Sequence, residues 1–356
     1  MAQTLLVTGA AGFIGSNFVH YWMKKYPEDH IVVVDALTYA GNLNNIKDLE
    51  SLSGFTFVHA NICDTPLMEK LLAEHNVDVV VNFAAESHVD RSITGPDAFI
   101  ETNIIGTYSL LKACKKIWLD GENPKKDHRF HHISTDEVYG TLGPDDHPFL
   151  ETNQYLPNSP YSASKASSDL LVRAFNHTYG LNVTTSNCSN NYGYYHHPEK
   201  LIPLTLTNIL RGRKIPVYGD GKQIRDWLFV EDHCRGIDLV LKNGRIGEHY
   251  NIGGINEWTN IDIVNLLCNK INAIFGEKEE YRKMYPDCPC SKGDKAEILI
   301  EHVTDRLGHD RRYAIGADKI MNELGYRPVE TFESGIEKTI YWYLDNQSWW
   351  KDLIKK

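Results

Sequence analysis

Tyr161-Ser162-Ala163-Ser164-Lys165 sets a phenol and an ammonium at i and i+4, a spacing that puts both on one face of a helix and within mutual reach. An ammonium beside a phenol favours phenolate, so Tyr161 is equipped to take a proton from a hydroxyl near neutral pH. Upstream, Ser134-Thr135-Asp136-Glu137-Val138-Tyr139-Gly140 joins a hydroxyl to two adjacent carboxyl groups. Two carboxylates in one partly buried cleft cannot both ionise at low cost. One is expected to hold its proton and the other to lose it, which supplies an acid and a base together. Successive side chains of a regular strand point to opposite faces, so a turn or irregular backbone is expected at Asp136 and Glu137 if both serve one site.

These groups need a redox partner or a substrate fixed beside them, and a second motif supplies one. Gly9-Ala10-Ala11-Gly12-Phe13-Ile14-Gly15 follows an apolar run and opens a stretch of helical period. Glycines let the backbone turn tightly and approach a phosphate, while the helix N-terminus offers free N–H groups and the positive end of its dipole. Asp35 ends the next apolar run twenty positions after Gly15 (35 − 15). A carboxylate there accepts from both ribose hydroxyls and repels a 2′-phosphate, which points to NAD rather than NADP.

Between Thr4 and Cys188, short β-branched runs alternate with longer helical stretches, the pattern of a doubly wound parallel Rossmann sheet of the α/β class. The expected strands are Thr4 to Thr8, Ile31 to Val34, Thr56 to His59, Val77 to Phe83, Phe130 to Ser134 and Val183 to Cys188. The clearest helices are Phe99 to Trp118 and Ala163 to Thr178. Residues 1–189 are therefore read as a dinucleotide-binding domain and 190–356 as a smaller substrate domain, with about 224–254 returning to the first. Asp136 and Glu137 fall at the C-terminal end of the fifth strand, where open parallel sheets bind ligands.

The 356 residues carry a formal charge of −10, without a basic stripe, so duplex nucleic acid is not an expected partner. Seven cysteines, of which only Cys288 and Cys290 lie close together, fit reduced thiols rather than a disulfide framework or a zinc knuckle. Met1-Ala2-Gln3-Thr4 leads straight into a short apolar run, and no run nears the roughly 20 residues of a membrane span, so a cytoplasmic protein off the membrane is expected. The pairs His131-His132 and His196-His197 do not suggest a metal, because adjacent strand residues point apart and no third ligand is suitably spaced.

The glycine loop with its Tyr/Lys pair resembles the extended short-chain dehydrogenase/reductase superfamily. Thr135-Asp136-Glu137, Ala84-Ala85-Glu86-Ser87-His88-Val89-Asp90-Arg91-Ser92, Asn187-Cys188-Ser189-Asn190-Asn191-Tyr192-Gly193 and Asp305-Arg306-Leu307-Gly308-His309-Asp310 resemble, more closely, the dTDP-glucose 4,6-dehydratase family, from Thr4 to about Trp342. The resemblance implies an internal redox cycle on a nucleotide-linked glucose: oxidation at C4, loss of water across C5 and C6, and reduction at C6, with NAD regenerated. It implies Thr135, Asp136, Glu137, Tyr161 and Lys165 as catalytic. It further implies cofactor contacts from Gly9, Gly12, Phe13, Ile14, Gly15, Asp35, Thr38, Asn61, Ile62, Ala84, Ala85, Thr102 and Asn191, beside Tyr161 and Lys165. Substrate contacts fall to Ser87, Thr135, Asn190, Lys200, Leu201, Pro216, Tyr218, Arg225, Asn260, Asp305 and His309. A homodimer built on two helices per subunit is also implied.

Three positions depart from the family pattern. Asn61 stands where an Asp commonly meets adenine, though an amide oxygen also accepts. Tyr194 and Leu307 stand where proline is usual, which touches loop geometry more than chemistry. Two other functions share the scaffold. A 4-epimerase has no use for the Asp136-Glu137 pair, and an NAD-sensing regulator has none for Tyr161 and Lys165. A UDP-glucose dehydratase carries a similar Thr-Asp-Glu segment, so the nucleobase stays open.

Overall fold

The computed structural model describes residues 2–122, 124–305 and 309–354. Its strands are β1 Thr4–Thr8, β2 His30–Asp35, β3 Phe55–His59, β4 Val79–Asn82, β5 Arg129–Thr135, β6 Val183–Cys188, β7 Asn190–Tyr192, β8 Ile215–Tyr218, β9 Ile224–Phe229, β10 His249–Ile252, β11 Glu257–Thr259, β12 Ile300–Val303 and β13 Arg312–Tyr313. The principal helices are α1 Phe13–Lys25, α2 Thr65–Glu74, α3 Thr107–Trp118, α4 Pro160–Tyr179, α5 Leu201–Leu210, α6 Val230–Asn243, α7 Asn260–Glu277, α8 Phe332–Asp345 and α9 Gln347–Ile354.

Seven parallel strands form one sheet in the order β10-β6-β5-β4-β1-β2-β3. The sheet is dry on both faces, as its unbroken apolar runs require. Leu5 and Val7 pack with Phe18 and Trp22 of α1 and Ile237 and Val240 of α6, whereas Leu6 packs on the opposite face with α2, α3 and α4. Strand order reverses between β1 and β4, and such a reversal opens a crevice at the C-terminal edge. The strand expected over Val77 to Phe83 is shorter, Val79–Asn82, because Phe83 onward turns away to line that crevice.

The stretch expected as one helix, Phe99 to Trp118, contains a π-helical segment at Ile100–Gly106 before α3. The wide turn directs Asn103 inward, where its amide donates to Glu86 O (3.0 Å) and Ser164 Oγ (2.8 Å) and its oxygen accepts from Glu86 N–H (2.9 Å). One side chain thereby fixes the loop after β4 against α4. Asp136–Tyr139 is a 3₁₀ turn, the irregular backbone that the adjacent carboxyls require.

The segment after Asn190 builds a second core around α5, α7, α8 and α9, capped by the mixed sheet β11-β9-β13 with β7 paired to β9. Part of it rejoins the first unit, since β10 adds to β6 and α6 packs against α1. Gly254 sits where these parts meet, and a Cβ there would lie 1.9 Å from Trp227 O. Overpacking of this kind costs about 1–3 kcal/mol. Gly254→Ala is expected to lower thermal stability by that amount and to loosen β9, measured as a fall in Tm with increased hydrogen exchange at Trp227.

Candidate functional site

The crevice at the C-terminal edge of the sheet is a cleft of about 470 Å³ running from the glycine loop to β8 and β9. Gly9 has φ +69°, and a Cβ on it would sit 2.6 Å from Ala84 N; one on Gly15 would sit 2.6 Å from Gly9 O. Only glycine admits this close packing, which brings the backbone of Gly12 and the N-terminus of α1 to the cleft. Gly12 has no side-chain cap, so the first N–H groups of α1 are left for an anion. Asp35 is buried at the end of β2, its Oδ2 accepting from Ala11 N–H (2.9 Å) and its Oδ1 from Leu37 N–H (2.8 Å). Burial raises its pKa and these two donors oppose the rise.

The rest of this end follows from neighbouring strand ends. Phe13, Ile14, Thr38, Asn61, Ile62, Ala84, Ala85, Thr102 and Asn191 all line the cleft. The Asn61 oxygen already accepts from Cys63 N–H (2.9 Å), which leaves it a second lone pair for a base. Asn191 uses its amide on Ser189 O (2.9 Å) and its oxygen on His233 Nδ1 (2.9 Å), so its side chain braces β7 against α6. An uncapped helix N-terminus, glycines with no room for a Cβ and a buried ribose-height carboxyl fit a dinucleotide that lacks a 2′-phosphate.

Beside this end, β5 and α4 bring Thr135, Asp136, Glu137, Tyr161 and Lys165 to one wall. Thr135 Oγ1 accepts from Glu137 N–H (3.3 Å), starting the 3₁₀ turn, and lies 3.3 Å from Asp136 Oδ1. Asp136 is buried and its Oδ2 meets no protein partner. Burial pushes its pKa well up, and the neighbouring Glu137 charge pushes it further, against a smaller opposite pull from Arg225. Asp136 is thus biased toward its protonated form.

Tyr161 departs from the sequence expectation. Burial, followed by the Glu137 charge, pushes the Tyr161 phenol well above its usual range, with a hydrogen bond to Thr135 opposing. Lys165 explains the difference. Its Nζ donates to Ile133 O (2.8 Å) and lies 3.4 Å from His132 Nε2, so the ammonium is tied to β5 rather than to the phenol. The i and i+4 positions do share a helix face, but the i+4 side chain reaches the strand first.

The far end of the cleft is lined by Ser87, Asn190, Lys200, Leu201, Pro216, Tyr218, Arg225, Asn260 and His309. Asn190 Oδ1, Asn260 Oδ1 and Trp227 Nε1 are buried there without a hydrogen-bond partner, groups that a polar ligand would satisfy. Arg225 is buried over the Tyr313 ring (4.3 Å), and its two NH groups donate to Ile224 O (2.7 Å) and Asp310 O (2.9 Å). Two of its N–H donors are therefore committed to backbone, which fixes the guanidinium at the cleft wall. Asp305 does not line the cleft; it accepts from Gln223 Nε2 (3.0 Å) and pairs with His309 Nδ1 (2.6 Å), orienting that ring. The expectation at Leu307 lies outside the described residues.

The His131-His132 pair on β5 is divided by the pleat, whereas His196-His197 lies in the loop after β7. His131 reaches Thr184 and Ser186, while His132 turns to Asn82 and Ser168. His196 stacks on Phe13 (4.2 Å between rings) over the glycine loop, and His197 lines the cleft beside it. Sequence reasoning missed these two, and also Tyr39, Glu199, Trp349 and Leu353. Trp349 and Leu353 come from the C-terminal helix, where Trp349 Nε1 donates to Asn45 Oδ1 (2.7 Å); no local motif marks a wall formed by a segment some three hundred residues from the loop it covers.

Comparison with known proteins fits this geometry. Residues 6–339 match the family described as GDP-mannose 4,6 dehydratase. Similar relatives include dTDP-glucose 4,6-dehydratases of Shigella flexneri, 53% identical over 97% of this chain and 94% of that one, and of Xanthomonas campestris pv. campestris, 55% identical over 99% and 96%. Among solved structures, the NAD-bound dTDP-glucose 4,6-dehydratase DesIV of Streptomyces venezuelae is 44% identical with TM-score 0.86, covering 99% of this chain and 100% of its own. A Thermotoga maritima UDP-glucose 4-epimerase is similar at 26% identity and TM-score 0.81, covering 97% and 100%.

Asp35→Ala would strip Ala11 and Leu37 of their acceptor and remove the carboxyl from the ribose position. NAD affinity is expected to fall at least tenfold, about 1.4 kcal/mol, and discrimination against NADP to shrink; fluorescence titration with each dinucleotide reads both.

Proposed function

The chain belongs to the dTDP-glucose 4,6-dehydratases, hydro-lyases that work with NAD, and from that premise we propose how its own residues divide the reaction. NAD, when bound, would supply the hydride acceptor for C4 of the sugar and the hydride donor for C6. Everything else falls to the protein. The residues of the glycine loop, α1 and Asp35 would hold the dinucleotide.

Tyr161 takes the C4 hydroxyl proton as the base, with Thr135 hydrogen-bonded to the same oxygen. The high pKa of the phenol in a dry site makes Tyr161 a strong base once deprotonated, and Lys165 with the positive charge of the cofactor's ring would favour that state. Oxidation at C4 acidifies the C5 proton, which Glu137 removes. Asp136 then protonates the departing C6 hydroxyl, and water leaves. Glu137 is placed to return the proton to C5.

The observation that carries this reading is the Asp136-Glu137 turn. Both carboxyls sit on one wall beside Tyr161, and burial biases Asp136 toward its protonated form. An epimerase needs only the Tyr161 and Lys165 part of the wall. The substrate end, with Asn190, Lys200, Arg225, Asn260 and His309, would take the nucleoside diphosphate, Lys200 and Arg225 supplying its cations. Asn191, Asp305 and the other candidate contacts act as braces or lining in the same reading.

We also propose a homodimer. Ile100, Ile105 and Tyr108 around α3 and Leu170 on α4 are exposed on two helices that pack side by side, an apolar surface suited to a second copy. Among the described residues no helix is long and apolar enough to cross a membrane. A cytoplasmic enzyme supplying deoxysugars such as rhamnose for surface polysaccharide fits the substrate.

Four outcomes test these assignments. In deuterated water without added cofactor, dTDP-glucose should lose one water and gain one solvent deuteron at C5, faster than UDP-glucose or GDP-mannose; conversion to the C4 epimer without dehydration would overturn the reading. If no turnover occurs, the same assay with added NAD decides. Asp136→Asn and Glu137→Gln should slow dehydration by about 10²–10⁴-fold while C4 oxidation persists, seen as absorbance of reduced cofactor in single turnover. Because Asp136 acts in its protonated form, dehydration should fall as pH rises through its raised pKa, and Asp136→Asn should lose that alkaline limb. The Tyr108→Glu and Leu170→Glu double variant should sediment as a monomer where the parent sediments as a dimer.

A further inference from the structure

Lys165 is buried on α4, and burial works against its charge. Its hydrogen-bond partner Ile133 O is a neutral carbonyl, which does not offset the loss of water around an ammonium. A compensating anion lies one helical turn away. Asp169 is 5% exposed; its Oδ2 accepts from Ser134 Oγ (2.7 Å) and lies 3.4 Å from Asn187 Nδ2. Its Oδ1 has no hydrogen-bond partner and lies 3.3 Å from His132 Nε2.

His132 stands between the two charges. Its Nε2 is 3.4 Å from Lys165 Nζ and 3.3 Å from Asp169 Oδ1, with Ser168 Oγ at 3.2 Å, and the ring is fully buried. Burial, then the Lys165 charge, holds its pKa down to about 4, so the imidazole is neutral at working pH. The titratable groups facing Lys165 are Tyr161 and Asp169 on α4, His132 on β5 and Cys188 on β6. Cys188 is raised to about 12, chiefly by burial, and stays a neutral thiol. Asp169 is therefore the group left to balance the ammonium, and its charge favours the protonated lysine.

We propose that Asp169, acting across the neutral ring of His132, is the buried counter-ion that keeps Lys165 an ammonium and holds its Nζ toward β5. It is a positioning residue, and the inference rests on the role assigned to Lys165 above. Without Asp169, Lys165 would release its proton at lower pH, and Tyr161 would lose the neighbouring positive charge on the alkaline side first.

Asp169→Asn keeps the shape of the side chain and an acceptor for Ser134. In the holoenzyme it should move the alkaline limb of C4 oxidation, followed in single turnover as absorbance of reduced cofactor and so separate from the Asp136 limb of dehydration, to lower pH by about one unit or more, a roughly tenfold loss above the new limb, with KM for dTDP-glucose little changed. Asp169→Glu should restore part of the limb. An unmoved limb accompanied only by a lower Tm would mean a structural role and overturn the proposal.

A double-mutant cycle with Lys165→Met, read by thermal unfolding, needs no activity. Asp169→Asn should destabilise the parent but have little effect, or stabilise, in the Lys165→Met background; additive effects would overturn the pairing. If Asp169→Asn alone does not fold, the double variant should, since both charges leave together, and a double variant that also fails to fold counts against the proposal. Full dehydratase activity in Lys165→Met would instead remove the catalytic assignment of Lys165 and leave the stability coupling to stand or fall separately.

Discussion

Strand β5 gives way to a 3₁₀ turn where the Thr135 hydroxyl accepts from Glu137 N–H, and the arrangement of the catalytic wall depends on that turn. Had the strand continued, the pleat would have sent Asp136 and Glu137 to opposite faces of the sheet. The turn closes at Gly140, with φ +99° and only 2.6 Å between a would-be Cβ and Leu156 O, a conformation and a clearance that favour glycine. One capping hydroxyl and one glycine thus convert two neighbours in sequence into two groups on one wall. Thr135 also lines the cleft wall beside Tyr161, so the residue that shapes the turn stands next to the proposed base.

Burial sets the chemistry once this geometry exists. Asp136 and Glu137 lie too close for both to ionise easily, and burial, followed by the Glu137 charge, biases Asp136 toward its protonated form. Tyr161 is driven the same way by the same negative neighbour, which makes it a reluctant phenolate but a strong base. Positive charge must oppose this drift. Arg225 does so for Asp136 from a guanidinium anchored on two backbone carbonyls, where its position cannot wander with the substrate. Lys165 stands on the other side, tied to Ile133 O. Lys200, whose Nζ donates to Ser87 O (3.2 Å), lines the far end of the same cleft.

Much of this was legible in the residues. The glycine loop, Asp35 and the alternation of apolar runs with helical stretches specify the sheet, because each is a local device with its own spacing. The irregular backbone at Asp136 was legible too, since chemistry and pleat conflict unless the strand ends. What sequence did not show came from contacts between distant segments. Trp349 reaches Asn45 through tertiary packing alone, and His196 covers Phe13 because the loop after β7 folds back over α1. The π turn at Ile100–Gly106 was hidden because its apolar pattern also suits an ordinary helix, and only the inward Asn103 distinguishes them. The direction of Lys165 was missed for a related reason: spacing along a helix says which side chains can meet, whereas the nearest strand carbonyl decides which do.

The π turn and the 3₁₀ turn act on the same cleft from opposite sides. Asn103 holds both backbone groups of Glu86 and the hydroxyl of Ser164, so the loop carrying Ala84 to Ser87 is registered to the helix that carries Tyr161 and Lys165. A shift of that loop would move Ala84, which touches Gly9, and with it the start of α1. Cofactor end and catalytic wall are therefore mechanically one body. A reaction that removes a hydride at C4 and restores one at C6 needs that rigidity, because the sugar and the dinucleotide must keep their relation through an intervening loss of water.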